Sequence, residues 1–256
     1  MESLSIREVE VNFGGLRALA RVDVHVSEGS IYGLIGPNGA GKTTLFNCVS
    51  RFQHYSGGSI RFQGTDLGPL GPHDVVSLGI ARTFQNINLF RTRSTLDNIL
   101  IGMHCHKGNP VAAMFSLPAG RRRERAMRER AGRMAETFGI TDVLHMEVRH
   151  LPFGHQKRVE LARALASEPK LLLLDEPVAG CNEEETSELA EIIRFINREL
   201  GVTVVVVEHD MSLVRAVCDE VSVLDFGQNI ARGRPVEILN HPAVIEAYLG
   251  EVAAHA

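Results

Sequence analysis

Residues Gly36 to Thr44 read GPNGAGKTT, and this run constrains the fold more than any other feature of the chain. It satisfies the pattern G-x-x-x-x-G-K-[ST] at Gly36, Gly41, Lys42 and Thr43, in which successive main-chain N–H groups turn inward around phosphates. The curve needs glycine at Gly36, Gly39 and Gly41, where a Cβ would block the turn or the close approach. A buried strand has to enter such a loop, and a helix has to leave it with its amino end facing the anion. Ser30 to Ile35, SIYGLI, supplies the strand, and Lys42 to Val49 supplies the helix. The loop through Gly36, Pro37, Asn38, Gly39, Ala40, Gly41, Lys42, Thr43 and Thr44 is therefore the expected seat of a nucleoside triphosphate. Lys42 reaches the outer phosphates as a point charge, and the Thr43 hydroxyl holds Mg²⁺.

An open parallel sheet carries its chemistry at the carboxyl ends of its strands, so two further runs count. Leu171 to Leu174 is an unbroken apolar stretch, as in a strand buried on both faces, and it ends in Asp175 and Glu176. Asp175 is the natural partner of Mg²⁺, and Glu176 is free to orient or deprotonate the attacking water. Val202 to Val207, VTVVVV, is apolar and β-branched, and Glu208, His209 and Asp210 follow it. A neutral imidazole at His209 can hydrogen-bond a γ-phosphate or hold the water in line.

With these strand ends stand Gln85 in ARTFQN, LPFGHQKRVELARAL from Leu151 to Leu165, and VEHDM from Val207 to Met211. NFGGLRAL, EHDMSLV, VLDFGQNIARG and VIEAYLG add to them. Together they make the chain resemble the ATPase subunits of ABC transporters, above all the branched-chain amino acid importer type, nearly end to end. The resemblance implies an α/β fold: a P-loop NTPase (RecA-like) core with an antiparallel β subdomain and a helical subdomain. It also implies a single ATPase domain over residues 1–256, with the core at about 1–85 and 156–256 and the helical subdomain at about 86–155. It further implies that Gln85 senses Mg²⁺ and the attacking water, and that Phe13 stacks on adenine. For Phe13 the plain alternative is a buried strand side chain, and for Gln85 alone a surface amide.

The family signature LSGGQ departs here to Leu151, Pro152, Phe153, Gly154, His155. The serine hydroxyl that meets a γ-phosphate in the family is missing, and Pro152 has no N–H. Gly154 still stands at the start of a helix whose amino end can face an anion, and proline suits a first turn. Two readings stay open, an active half-site and a degenerate one that only binds. In the family this half-site completes the nucleotide site of the opposing subunit. The expected assembly is thus a head-to-tail dimer, with a copy of the chain or with a second ATPase subunit. Gly180, Cys181 and Asn182 fall where relatives often keep an interface-crossing aspartate. The resemblance also implies transmembrane permease subunits as partners and, indirectly, an external solute-binding protein.

Composition narrows the setting. MESLSIREVE has neither a basic start nor an apolar core, and no stretch is long enough to span a bilayer, so the chain is expected in the cytoplasm, peripheral on the inner face of the membrane. Cys48, Cys105, Cys181 and Cys218 are widely spaced and read as reduced thiols. A net charge of -4 argues against a nucleic-acid partner. An ABC-type ATPase of DNA repair or translation would carry a long coiled coil or paired ATPase domains, and neither fits in this chain. The expected function is an ATPase energising an importer of branched-chain amino acids. The alternatives are an ATP-responsive subunit with little turnover, or an importer of another small polar solute such as an amide or urea.

One basic run, Arg121 to Arg133, has apolar partners at Met127, Met134 and Phe138 that predict an amphipathic helix. Its arginines read as a solvated face, or as a contact with anionic headgroups or a partner protein. Ile87, Leu89 and Phe90 are candidates either for the core or for a groove receiving a short helix of the membrane subunit.

Overall fold

The computed structural model describes residues 1–85, 87–103 and 118–254. The chain forms β1 (Glu2–Phe13), β2 (Leu16–Ser27), β3 (Ile31–Ile35), α1 (Lys42–Val49), β4 (Gly57–Phe62), β5 (Thr65–Asp66), α2 (Pro72–Ser77) and β6 (Ile80–Arg82). It continues through α3 (Thr95–Met103), α4 (Pro118–Thr137), α5 (Phe153–Leu165), β7 (Leu171–Asp175), α6 (Glu183–Arg198), β8 (Thr203–Val207) and α7 (Met211–Val217). The last elements are β9 (Glu220–Asp225), β10 (Gln228–Gly233), α8 (Pro235–Ile238) and α9 (Pro242–Ala254). These divide into two compact units, Met1–Arg82 with Lys170–Ala256, and Thr83–Pro169.

In the first unit the described strands make two sheets. β2, β1, β4 and β5 lie side by side in one, antiparallel throughout, and the other has the order β10-β9-β3-β8-β7-β6. In the larger sheet all neighbours are parallel except β10, which turns back on β9. Every residue of β3, β7 and β8 is buried, which explains why these strands read as unbroken apolar runs rather than alternating ones. Along β7 and β8 the side chains of Leu171, Leu173, Val205 and Val207 enter one core with Leu45, Phe46 and Val49 of α1 and with Ile6, Val24 and Ile60 of the antiparallel sheet. Full burial of one such aliphatic side chain contributes about 1.5–3 kcal/mol. That shared core fixes α1, and hence the loop that precedes it, against the sheet.

Strand register decides where the site lies. Leu34 of β3 pairs with Val207 of β8, and Val207 pairs with Asp175 of β7. These three residues form one row across the sheet, so the segments that follow each of them leave from the same edge.

The second unit is helical. Gly102 of α3 meets α5 so closely that a Cβ there would sit 2.1 Å from the Arg163 carbonyl oxygen. Buried Asn98 holds the segment before α3, accepting from the Phe90 N–H at 2.9 Å and donating to the Phe90 and Ser94 carbonyls. The sequence-based core boundary at 155/156 falls inside this unit, which runs on to Pro169. Packing explains the extension: α5 lies on α3, Arg163 donates to the Asn88 carbonyl at 2.6 Å, and Arg130 of α4 pairs with Glu168 at 2.7 Å. Asn86, where the helical part was expected to begin, and Cys105 lie outside the described residues. Cys48, Cys181 and Cys218 are free thiols, and burial pushes Cys48 up to about 11 and Cys218 up to about 12.

Helix α4 corrects the expected stripe. Among its described side chains Ala131 and Ala135 are buried, as is Phe138 just past the helix, whereas Met127 and Met134 stay partly exposed. Alanine lets the helix backbone approach its neighbours, which a longer methionine would prevent. Arg125 and Arg128 pair with Glu129 and Glu124 one turn away on the exposed face. Leu89 is buried and Phe90 is half-exposed, so these two apolar neighbours separate into a core and a surface position.

Helix α6 begins with a reciprocal cap. The Asn182 side chain accepts from the Glu185 N–H at 2.9 Å, and the Glu185 carboxylate accepts from the Asn182 N–H at 3.0 Å. Replacing Asn182 by Ala is expected to lower the unfolding free energy by ~1 kcal/mol, read as a shift of the urea midpoint at constant slope.

Candidate active site

The loop between β3 and α1 is drawn tightly against the rest of the first unit. Gly36 has φ 147° and Gly41 has φ 101°, both in the region that L side chains rarely adopt. A Cβ on Gly36 would lie 2.0 Å from the Leu224 carbonyl oxygen, and one on Gly41 would lie 2.8 Å from the Ala18 carbonyl oxygen. β9 and β2 therefore press on the outside of the loop and force its main chain to curve. The Gly227 N–H donates to the Ala40 carbonyl at 3.0 Å and fastens the β9–β10 turn to the same loop. Lys42 is buried, and its Nζ donates to the Gly36 and Pro37 carbonyls at 2.6 and 2.8 Å. The ammonium is thus anchored inside the curve of the loop.

Helix α1 starts at Gly41, with no side-chain cap and no acidic residue in its first turn. Nothing on those positions competes with an anion for the first N–H groups or for the positive end of the helix dipole. Asn38, Gly39 and Thr43 are exposed, Thr44 is half-buried, and Pro37 and Ala40 are buried. The cradle fits a polyphosphate: a loop with glycine where β9 and β2 leave no room for a Cβ, a buried ammonium, and an uncapped helix end. Thr43 and Asp175 offer oxygen donors only, the chemistry that suits Mg²⁺, which takes its other ligands from phosphates and water.

Asp175 closes β7 and is buried, and its Oδ2 accepts from Arg82 at 2.8 Å. Both side chains are almost fully enclosed, at 7% exposure for Arg82 and 4% for Asp175. Arg82 also donates to Asn47 Oδ1 at 2.8 Å and lies over the Phe46 ring at 5.5 Å, which ties the acid to α1. No sequence motif marks this arginine. Its signal was present: a cation closing an apolar strand, β6, that has to pair with the strand ending in Asp175.

Glu176 adopts φ 48°, a left-handed conformation that costs a non-glycine residue of the order of 1–2 kcal/mol. Its N–H donates to the Val207 carbonyl at 2.9 Å, and its side chain is 15% exposed. His209 stands opposite, 58% exposed, with Nδ1 3.8 Å from Glu176 Oε1 and 3.8 Å from Glu208 Oε2. These are distances of proximity, longer than a hydrogen bond. The Glu208 carboxylate is fully buried, and burial raises its pKa against the pull of the backbone donors around it.

Phe13 ends β1 beside the tight turn at Gly14 and Gly15, and it is 47% exposed, so the buried-strand reading of this ring is overturned. The first unit thus contains the phosphate loop, Asp175, Glu176, His209 and Phe13. Gln85 and Gly154 belong to the second unit. Gln85 is exposed, and Gly154 lies in the first turn of α5. Pro152 is the N-cap of that helix, one step before the first turn that the sequence suggested. Nothing in the structure explains the histidine at position 155.

A family model described as ABC transporter matches residues 19–179. The chain belongs to the ABC transporter family. A second model, described as a branched-chain amino acid ATP-binding cassette transporter, matches residues 228–254. Among curated ABC relatives, the high-affinity branched-chain amino acid transport ATP-binding protein BraF of Pseudomonas aeruginosa is 40% identical over 97% of this chain and 98% of its own length. LivG of Escherichia coli, named in the same terms, is 37% identical over 97% of this chain and 98% of its own. The solved structure of an ABC transporter cassette in its ADP conformation superposes with a TM-score of 0.86 at 31% identity, covering 98% of this chain and 100% of that one. A nucleotide-free cassette gives 0.85 at 30% identity, covering 97% and 99%. Membership makes this chain a nucleotide-binding ATPase coupled to transport.

Removing Arg82 leaves the Asp175 carboxylate buried without its guanidinium. Arg82→Met is expected to lower the unfolding free energy by about 3–5 kcal/mol, measured by urea denaturation. A loss under about 1 kcal/mol would mean that solvent reaches the pair.

Proposed function

We propose that this chain is the ATP-hydrolysing subunit of an importer for branched-chain amino acids, working with Mg²⁺ on the inner face of the cell membrane. The observation that carries the hydrolytic part is the row Leu34, Val207, Asp175, which sends the phosphate loop, the acid pair and His209 from one sheet edge. The transported solute rests on the names of BraF and LivG and on the match at residues 228–254. No described helix is long and apolar enough to cross a membrane; in this reading transmembrane permease subunits carry the pathway for the solute.

In this reading the loop N–H groups and Lys42 hold the phosphates, and Phe13 stacks on the adenine. Thr43 and Asp175, with Gln85, hold the metal ion, which neutralises charge on the phosphates when bound. Glu176 takes the proton of the attacking water or orients it, and His209 hydrogen-bonds the γ-phosphate side. The left-handed backbone at Glu176 supports that role, since strain of this kind is kept where a side chain has to be aimed. Gly154 serves the ATP of an opposing subunit, either a second copy or a sister ATPase, and an external solute-binding protein delivers the cargo to the permease.

A second reading has one observation behind it. Pro152, the N-cap of α5, offers neither an N–H nor a hydroxyl. Such a half-site favours an ATP-responsive subunit with little turnover, and phosphate release by the assembled transporter separates the two.

Glu176→Gln is expected to lower kcat by ~10²–10⁴-fold while ATP still binds, trapping an ATP-loaded dimer visible by size-exclusion chromatography. Parental turnover in this variant would remove Glu176 from the chemistry. Lys42→Ala is expected to abolish the heat of MgATP binding in calorimetry; an unchanged isotherm would overturn the phosphate-loop assignment.

A further inference from the structure

We propose that Glu208 is a positioning residue for hydrolysis, a buried carboxylate that fastens the segment carrying Glu176 to the segment carrying His209. The proposal rests on the reading of those two residues given above.

Glu208 follows the last residue of β8 and is wholly enclosed. Its Oε1 accepts from the Val178 N–H at 3.2 Å, across to the segment after β7. Its Oε2 accepts from the His209 N–H at 2.9 Å and the Asp210 N–H at 3.1 Å, on its own segment. Only a carboxylate offers two acceptor oxygens and no donor, so it alone among side chains of this shape satisfies N–H groups on both sides. A side chain that merely filled the space would be apolar, because enclosing a carboxylate is costly without such partners.

The clamp acts beside a left-handed residue. Glu176 is tied on one side by its own N–H to the Val207 carbonyl, at 2.9 Å. Two residues on, Val178 is tied to Glu208. A left-handed glutamate persists only when its surroundings leave the chain no alternative, and these two bonds, from neighbouring residues of β8 and its end, bracket it. The same carboxylate sets the main chain of His209, whose ring stands 3.8 Å from Glu176 Oε1. Further along, the Asn182 cap fixes the far end of the segment. Glu208 therefore sets the spacing between base and imidazole without touching ATP.

Glu208→Gln in the full chain tests this. The glutamine keeps the shape but turns one acceptor into a donor, so it can serve Val178 or the His209–Asp210 pair and must release the other. The expected result is a kcat for MgATP lowered by ~10–100-fold, with KM and calorimetric ATP affinity within about twofold of the parent, because the phosphate loop is untouched. Hydrogen exchange should quicken in peptides covering 176–182 and 207–211 and stay unchanged in 36–49. A folded variant with kcat within about twofold of the parent overturns the proposal, as does a loss shared equally by kcat and ATP affinity. Glu208→Asp keeps the charge but is too short to span both segments, and it gives the same readings should the glutamine variant not fold; failure of both to fold would make Glu208 a structural residue and sink the proposal. A parent chain that binds ATP without releasing phosphate would instead refute the hydrolytic reading of the site.

Discussion

Backbone hydrogen bonding between β3, β8 and β7 is the constraint on which the rest depends. Parallel pairing sets Leu34, Val207 and Asp175 level with one another, and each strand then delivers its next few residues to a common edge. A slip of one residue in either pairing would turn the buried side chains of a strand to its other face and withdraw the acid pair from the phosphate loop. The apolar continuity of these strands, enclosed on both faces, holds that register with the full weight of the core.

Charge is handled at this edge by enclosure with a partner. Lys42 lies against two loop carbonyls, Asp175 against Arg82, and Glu208 against three main-chain N–H groups. Asp175 and Glu208 each take a partner from a segment distant in the chain, so there the electrostatics and the geometry of the site are one network. His209 and Thr43 differ, being exposed where substrate has to arrive. The division fits an ATPase: fixed dipoles and charges below, accessible groups above, with little reorganisation left for the moment of reaction.

Much of this was legible from residues in order. GPNGAGKTT announces its own turn, because only glycine tolerates the curve, and LLLLDE and VVVVEH show buried strands ending in chemistry. Other parts were not legible, for identifiable reasons. Arg82 ends a short strand, and its meaning depends on which strand lies next to it. Asn182, which falls where relatives often keep an interface-crossing aspartate, also caps α6. The stripe of α4 follows Ala131 and Ala135 rather than the methionines, since close packing rewards small side chains that hydrophobicity alone ranks low. The assignment of α5 to the helical unit follows from Gly102 and Arg163, whose contact has no trace in local pattern.

By itself, the sequence determined the parts whose function is set by local backbone rules: the phosphate loop, the helix it feeds, and the apolar strands that end in Asp175, Glu176 and His209. Steric limits on φ and the periodicity of burial act over a few residues, so a string of letters carries them. Only the tertiary structure decided how those ends are joined, with Leu224 and Ala18 bending the loop, Arg82 holding Asp175, and Glu208 bridging two segments. These contacts join residues far apart in the chain, and their partners are chosen by sheet order and register, which no single stretch of sequence contains.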